Sequence, residues 1–131
     1  MCQFAFLRGT FLNILFLFSC APHISYEKSD CELFSGLDPI QANPAGALDK
    51  QLELQVAFRL CPPKDGLAEI LRKKIELKHN LLGLLSAKSE EQLKDPLRIE
   101  ILQLEIQQLV NGQILKKGKA VEVFITSFEL R

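Results

Sequence analysis

The chain has 131 residues, a formal net charge of zero, 47% hydrophobic residues and 24% charged residues. That is the length and composition of one globular domain with a terminal extension, and the balanced charge offers neither a nucleic-acid footprint nor steering of an acidic substrate. Two histidines, no tryptophan and four cysteines at positions 2, 20, 31 and 61, none at CxxC spacing, leave little for a zinc, thioredoxin-like or acid–base centre.

Residues 1–20 read MCQFAFLRGTFLNILFLFSC, with Arg8 as the single charge and an apolar core of about eleven residues from Gly9 to Ser19. This core is shorter than the roughly 20 residues that cross a bilayer as a helix, and it fits a secretory signal. The segment closes on Leu17-Phe18-Ser19-Cys20. That has the form of a bacterial lipobox, in which Cys20 is lipidated and becomes the mature N-terminus. An uncleaved short anchor and an ordinary cleaved signal, each with Cys20 there by coincidence, fit the same residues. On each reading the chain beyond residue 21 lies outside the cytoplasm. Residues 21–30, APHISYEKSD, are polar with little periodicity and read as a tether. Ten residues reach at most roughly 35 Å, so the domain is held close to its membrane.

A short strand is predicted at Cys31–Leu37, and Asn43-Pro44-Ala45-Gly46 reads as a turn, with Pro presetting φ and Gly closing it. Leu52, Leu54, Val56, Phe58 and Leu60 then alternate with Glu53, Gln55, Ala57 and Arg59, which predicts a strand with one buried face. Pro62-Pro63 ends it. A helix is predicted from Asp65-Gly66. Leu67, Ile70, Leu71, Ile75, Leu81, Leu82 and Leu85 form its apolar side, and Arg72, Lys73, Lys74, Glu76 and Lys78 face outward. The charged run reads as a solvated face. His79 has no Cys, His or Asp at ligand spacing, so no metal site is predicted there.

Ser89-Glu90-Glu91-Gln92 has the form of a capping box and predicts a short helix ending near Leu93. Asp95-Pro96 suits the start of a long helix, with Asp as cap and Pro at the first position. Its apolar residues fall on two sides: Leu97, Ile101 and Leu104, and Ile99, Leu102, Ile106, Leu109 and Val110. The helix is predicted to run to about Leu115, with Lys116-Lys117 favouring its C-terminus and Gly118 supplying a left-handed residue.

A terminal strand follows over Val121–Phe128. Simple alternation places Val121, Val123 and Ile125 on one face and Phe124, Phe128 and Leu130 on the other. Apolar on both faces, this strand is central in a layered structure or covered by another chain. The fold class is α+β, a small antiparallel or mixed sheet on two main helices with the C-terminal strand in the sheet. The helix and strand together carry more apolar surface than one such domain hides, which predicts a neighbouring subunit or partner. Cys31 and Cys61 flank the turn and the alternating strand, so they are either disulfide-bonded or two buried thiols. No nucleophile–base pair is evident near Ser86, Ser89 or Ser127, and Gly66 and Gly83 stand alone, so no phosphate loop or catalytic residue is predicted.

Three stretches together resemble the flagellar basal body-associated protein FliL family. They are Leu37 to Gly46 with the alternating strand after it, Leu82 to Ser89 with Leu93, and Ile106 to Asn111 followed by Val121 to Leu130. Order and spacing agree over residues 37–131, and Asn43, Gly46, Asn111, Phe124 and Phe128 match structural positions of the family. The resemblance implies a stomatin-like periplasmic domain over 37–131, a tether over 21–36 and an anchor or signal over 1–20. It further implies a non-enzymatic protein that forms rings with FliL-type neighbours around the flagellar stator proteins and supports torque and motility. It implies no cofactor, nucleic acid or small-molecule substrate. The family's full membrane-spanning helix is here replaced by the short apolar core ending in Cys20. The alternative is an envelope lipoprotein acting as a protein-binding adaptor unconnected with flagella.

Overall fold

The computed structural model describes residues 30–131. The 1–20 segment, Cys20 as a lipidation site and residues 21–29 of the tether lie outside the described residues. The elements run β1 (Glu32–Phe34), β2 (Ile40–Ala42), β3 (Leu52–Cys61), α1 (Pro63–Arg72), α2 (Lys74–Ser86), α3 (Glu90–Lys94), α4 (Arg98–Leu109) and β4 (Lys119–Leu130). A π-helical turn at Val110–Ile114 continues α4. The class is α+β, with four helices and an open antiparallel sheet that includes the C-terminal strand.

The sheet is built on β3. β4 pairs along one side of it, while β1 and β2 share the other, opposite Phe58–Leu60 and Leu52–Leu54 respectively. The alternation read from the sequence is the reason. Leu52, Leu54, Val56, Phe58 and Leu60 are all buried and form one core with Ile70, Leu77, Leu81, Leu85, Leu102 and Ile106 from the helices. β1 is shorter than the predicted Cys31–Leu37 strand, and it lies inside the stretch assigned to the tether, so the folded unit begins before residue 37. β2 was not predicted, because three residues carry no usable period.

Among the described residues β4 is an edge strand of the sheet, with β3 as its strand neighbour on one side only. Its faces differ from simple alternation. β4 sets twelve residues against ten of β3. Register shifts at Gln55/Val56 and Arg59/Leu60 leave Thr126 and Val121 as the extra residues. Each bulge turns the side chains after it to the opposite face. Ala120, Val123, Ile125, Phe128 and Leu130 therefore stand opposite the core-facing residues of β3, while Glu122 and Phe124 stand opposite Arg59 and Ala57.

The first predicted helix begins earlier, at Pro63, and is broken at Lys73 (φ −106°, ψ 23°) into α1 and α2. The break shifts the helical phase. Leu77, Leu81 and Leu85 of α2 face the core, whereas Leu71, Ile75 and Leu82, predicted on the apolar side, are 54%, 88% and 39% exposed. Lys73, predicted outward, turns in and donates from Nζ to the Ile114 carbonyl at 2.9 Å. The capping box of α3 is present: Ser89 Oγ accepts from Gln92 N at 3.2 Å, and Gln92 Oε1 accepts from Ser89 N at 2.9 Å. Asp95 Oδ1 accepts from Leu97 N at 2.8 Å, so Asp95-Pro96-Leu97 is a turn and α4 begins at Arg98. At the other end, Leu115 is already extended, and Gly118 is not left-handed; among the described residues the glycine with positive φ is Gly46, at 74°. Gly118 serves close packing instead. A Cβ there would lie 2.5 Å from Gly66 Cα, and one on Gly66 would lie 2.8 Å from Leu60 Cβ. The loop before β4 thus sits directly on the first turns of α1.

Cys31 and Cys61 are joined through their sulfurs, with Cα atoms 4.6 Å apart. The bond ties the start of the described chain to the end of β3 and closes a loop with a sequence separation of 30 residues. By loop-closure entropy such a bridge stabilises by roughly 3–4 kcal/mol. Cys31 and Cys61 should stay unlabelled by a thiol reagent under denaturing, non-reducing conditions, and reduction should lower the denaturation midpoint. Labelling of both residues before reduction would rule the bridge out.

Candidate functional site

The most constrained polar group of the fold is Glu69 on α1, which is 4% exposed. Residues 66, 69, 70 and 73 share one helical face, so Glu69 enters the core beside Gly66 and Ile70. Its Oε2 accepts from Lys116 N at 2.8 Å, and its Oε1 accepts from Lys117 N at 2.8 Å and Gly118 N at 2.7 Å. Burial opposes the charge. The three N–H groups, Gly118 first, and the Lys73 ammonium nearby outweigh it, and the carboxyl is held below the usual glutamate range. A carboxylate clamping successive backbone donors is a positioning device, here for the loop that leads from α4 to β4.

A second polar set fixes β4 itself. Gln103, Gln107 and Asn111 recur at every fourth residue on the side of α4 and its π-turn that meets the strand. Gln103 Nε2 donates to the Val123 carbonyl at 3.0 Å, and Gln107 Nε2 donates to those of Ala120 and Val121 at 3.0 and 3.3 Å. Asn111 both donates to the Ala120 carbonyl (3.0 Å) and accepts from Ala120 N (2.8 Å). Side-chain amides thereby satisfy backbone groups of a strand that has no further strand to pair with among the described residues, the hazard that edges otherwise present.

The positions expected to match the family are spread over the fold, each with a local role. Asn43 Nδ2 donates to the Lys50 carbonyl at 2.8 Å and closes the loop that contains Gly46. Asn111 belongs to the amide ladder. Phe124 lies under the Arg59 guanidinium, 5.6 Å from the ring centroid, and Phe128 lies under that of Arg98 at 5.3 Å. These residues do not converge on one cleft. A cleft of about 240 Å³, lined by Lys88, Asp95, Arg98, Ile101 and Glu105 among others, lies between α3 and α4. It is smaller than the roughly 300–1,000 Å³ of small-molecule sites, and Lys88 and Glu105 pair across it at 2.6 Å. Among the described residues no three His, Cys, Asp or Glu side chains gather as a metal site, and no helix is long and apolar enough to cross a membrane.

What the surface does offer is apolar. Leu97, Ile101 and Leu104 on the outer side of α4 are 60%, 42% and 57% exposed, and with Leu71, Ile75 and Leu82 they form two stripes on helices. The sequence pattern foresaw the first stripe, because α4 reads as apolar on two sides. Glu69, Gln103 and Gln107 were not singled out from the sequence. The available signal was an acid sharing a helical face with Gly66 and Ile70, and amides at four-residue spacing along an otherwise apolar helix.

The family model for flagellar basal body-associated protein FliL matches residues 34–130, most of the chain. No curated protein matches it.

Glu69→Ala leaves three backbone donors without their acceptor and should cost roughly 3 kcal/mol or more in urea unfolding. Because the folded-state pKa is depressed, the contribution of Glu69 is fully present above its unfolded pKa and is lost as pH falls through the depressed value. Stability of the wild-type chain should therefore decline in that acidic window, and Glu69→Gln should flatten the decline. An unchanged acid profile in Glu69→Gln would remove the carboxylate from this role.

Proposed function

The chain belongs to the flagellar basal body-associated protein FliL family, and from that premise we propose that it is a non-enzymatic accessory of the flagellar motor which supports the stator units from the periplasmic side. Family membership supports a role at the flagellar basal body. The observation that carries the reading to a protein-contact role is the pair of exposed apolar stripes on the helices, around a core that is otherwise closed. Exposed apolar patches of this kind, rimmed by charge, mark protein contacts. In this reading copies of the chain, or FliL-type neighbours, form a ring around the stator proteins, and torque and motility depend on it.

The front of the chain supplies the anchor. Lipidation at Cys20 would hold the domain to the membrane surface, since more than one acyl chain gives stable attachment where a single chain is marginal. Asn43, Gly46, Asn111, Phe124 and Phe128 are proposed as structural positions of the domain rather than contact residues, given the hydrogen bonds, turn conformation and ring contacts already described.

A strain lacking the chain should swim more slowly and should recruit fewer labelled stator units per motor, and the wild-type gene should restore both. Normal swimming together with normal stator recruitment in the deletion strain would overturn the motor role. Mass spectrometry of the chain isolated from its own membranes should find residue 20 as an acylated N-terminus; an unmodified Cys20 or retained residues 1–19 would end the lipid anchor.

A further inference from the structure

Residues 1–29 join the domain at one end of the sheet. Cys31 is bonded to Cys61, the last residue of β3, and Cys61 stands opposite Lys119, the first residue of β4. Lys64 lies in the first turn of α1. The loop that carries Lys116 and Lys117 sits on that turn, where a Cβ on Gly118 would lie 2.5 Å from Gly66 Cα and 3.5 Å from the Asp65 carbonyl carbon. Lys64, Lys116, Lys117 and Lys119 are therefore gathered where the tether enters. All four are exposed, and among the described residues none is in an ion pair.

Two further cations stand nearby. The bond from Lys73 to the Ile114 carbonyl holds the α1–α2 corner against the same loop, which brings Arg72 and Lys74 to this end. The exposed acids of these segments are Asp30, Glu32 and Asp65, so the cations outnumber them. The opposite end of β3 has the other sign. There Ala45 N donates to the Lys88 carbonyl at 2.8 Å, Asp49, Glu91 and Asp95 are exposed, and Lys94 is spent on Glu90 at 2.7 Å. Glu69 adds rigidity at the basic end. It binds the N–H groups of residues 116–118, so the lysines project from fixed backbone and little order is lost when they bind.

We propose that this lysine-bearing end is a docking surface for the anionic phospholipid headgroups of the membrane that anchors the chain. It rests on the anchoring proposed above. A tether of residues 21–30 reaches at most roughly 35 Å and by itself leaves the orientation of the domain open. Each lysine brought to an anionic surface strengthens binding roughly fivefold. That attraction fades over about 8 Å at physiological salt, so the loop has to lie at the headgroups. The acidic end is repelled by the same surface. The domain therefore stands on its lysines with Asp49, Glu91 and Asp95 pointing away from the bilayer, and the Cys31–Cys61 bond keeps the exit of the tether beside the docking loop.

The test uses the full-length chain purified from its own membranes and placed in vesicles. Exposed lysines are acetylated with a water-soluble reagent and read by mass spectrometry. In vesicles of phosphatidylcholine with phosphatidylglycerol, Lys64, Lys116, Lys117 and Lys119 should react severalfold more slowly than in phosphatidylcholine alone. High salt should remove the protection, and Lys50, at the acidic end, should react equally in both. Lys116→Gln, Lys117→Gln and Lys119→Gln together should expose Lys64, whereas Lys116→Arg, Lys117→Arg and Lys119→Arg should keep it protected, a distinction that misfolding would not make. Equal reaction of the four lysines in both kinds of vesicle overturns the docking, and so does the same protection given by inorganic phosphate in phosphatidylcholine vesicles. Protection in whole cells but in neither vesicle assigns the lysines to an acidic protein and overturns it as well. A chain retained by both kinds of vesicle without lysine protection keeps the anchor and removes the docking. One that binds only the phosphatidylglycerol vesicles, releases in salt and shows the protection keeps the docking and removes the anchor.

Discussion

The clamp of Glu69 on the backbone of residues 116–118 holds the two ends of the fold together. α1 follows the central strand directly, and β4 returns to that strand only after three more helices. Nothing local to the chain makes these segments meet. Pairing of β4 with β3, as far as Lys119 opposite Cys61, brings them together, and the carboxylate fixes the join by supplying acceptors to three consecutive N–H groups, with the Gly66–Gly118 approach giving the room and Lys73 holding the Ile114 carbonyl nearby. An apolar residue at this position could fill the volume but would leave the donors unmet, Gly118 N among them in the buried interior.

Once the loop is held, the rest of the last third follows. The π-turn at Val110–Ile114 places Asn111 against Ala120, and the same helical side then delivers Gln107 and Gln103 to the next carbonyls. The helix therefore does for β4 what another strand would have done over that stretch. The two bulges complete the fit by bringing Ile125 and Phe128 onto the core side, where even alternation would have separated them from one another. The side of α4 turned to the strand is thus committed, and its outer apolar residues are left for contacts beyond the subunit. Polar groups do the internal positioning, and exposed leucines and isoleucines carry the proposed assembly.

Several features were legible in the residues alone because their cause is local. Alternation from Leu52 to Leu60 needs only the two-residue repeat of a strand, and Ser89 with Gln92 needs only the geometry of one helical turn. The two-sided apolar pattern of α4 announced surface beyond what the core would use. Asn43, Gly46, Asn111, Phe124 and Phe128, expected as structural positions of the family, lie scattered over a loop, the π-turn and both faces of β4 instead of forming a cleft.

The remaining features belong to neighbours distant in the chain, and periodicity does not see those. The break at Lys73 reassigns Ile75 and Leu82 from core to surface, because packing of α2 selects a phase that the uninterrupted pattern does not contain. The bulges in β4 are set by pairing with β3, and the role of Gly118 is set by the backbone of Gly66, not by its own conformation. The sequence by itself determined the class of fold, the strand at its centre and the family. Tertiary structure alone decided which apolar residues are left outside and why a buried acid is tolerated, since both depend on what lies across the interior from each residue and not on what precedes or follows it.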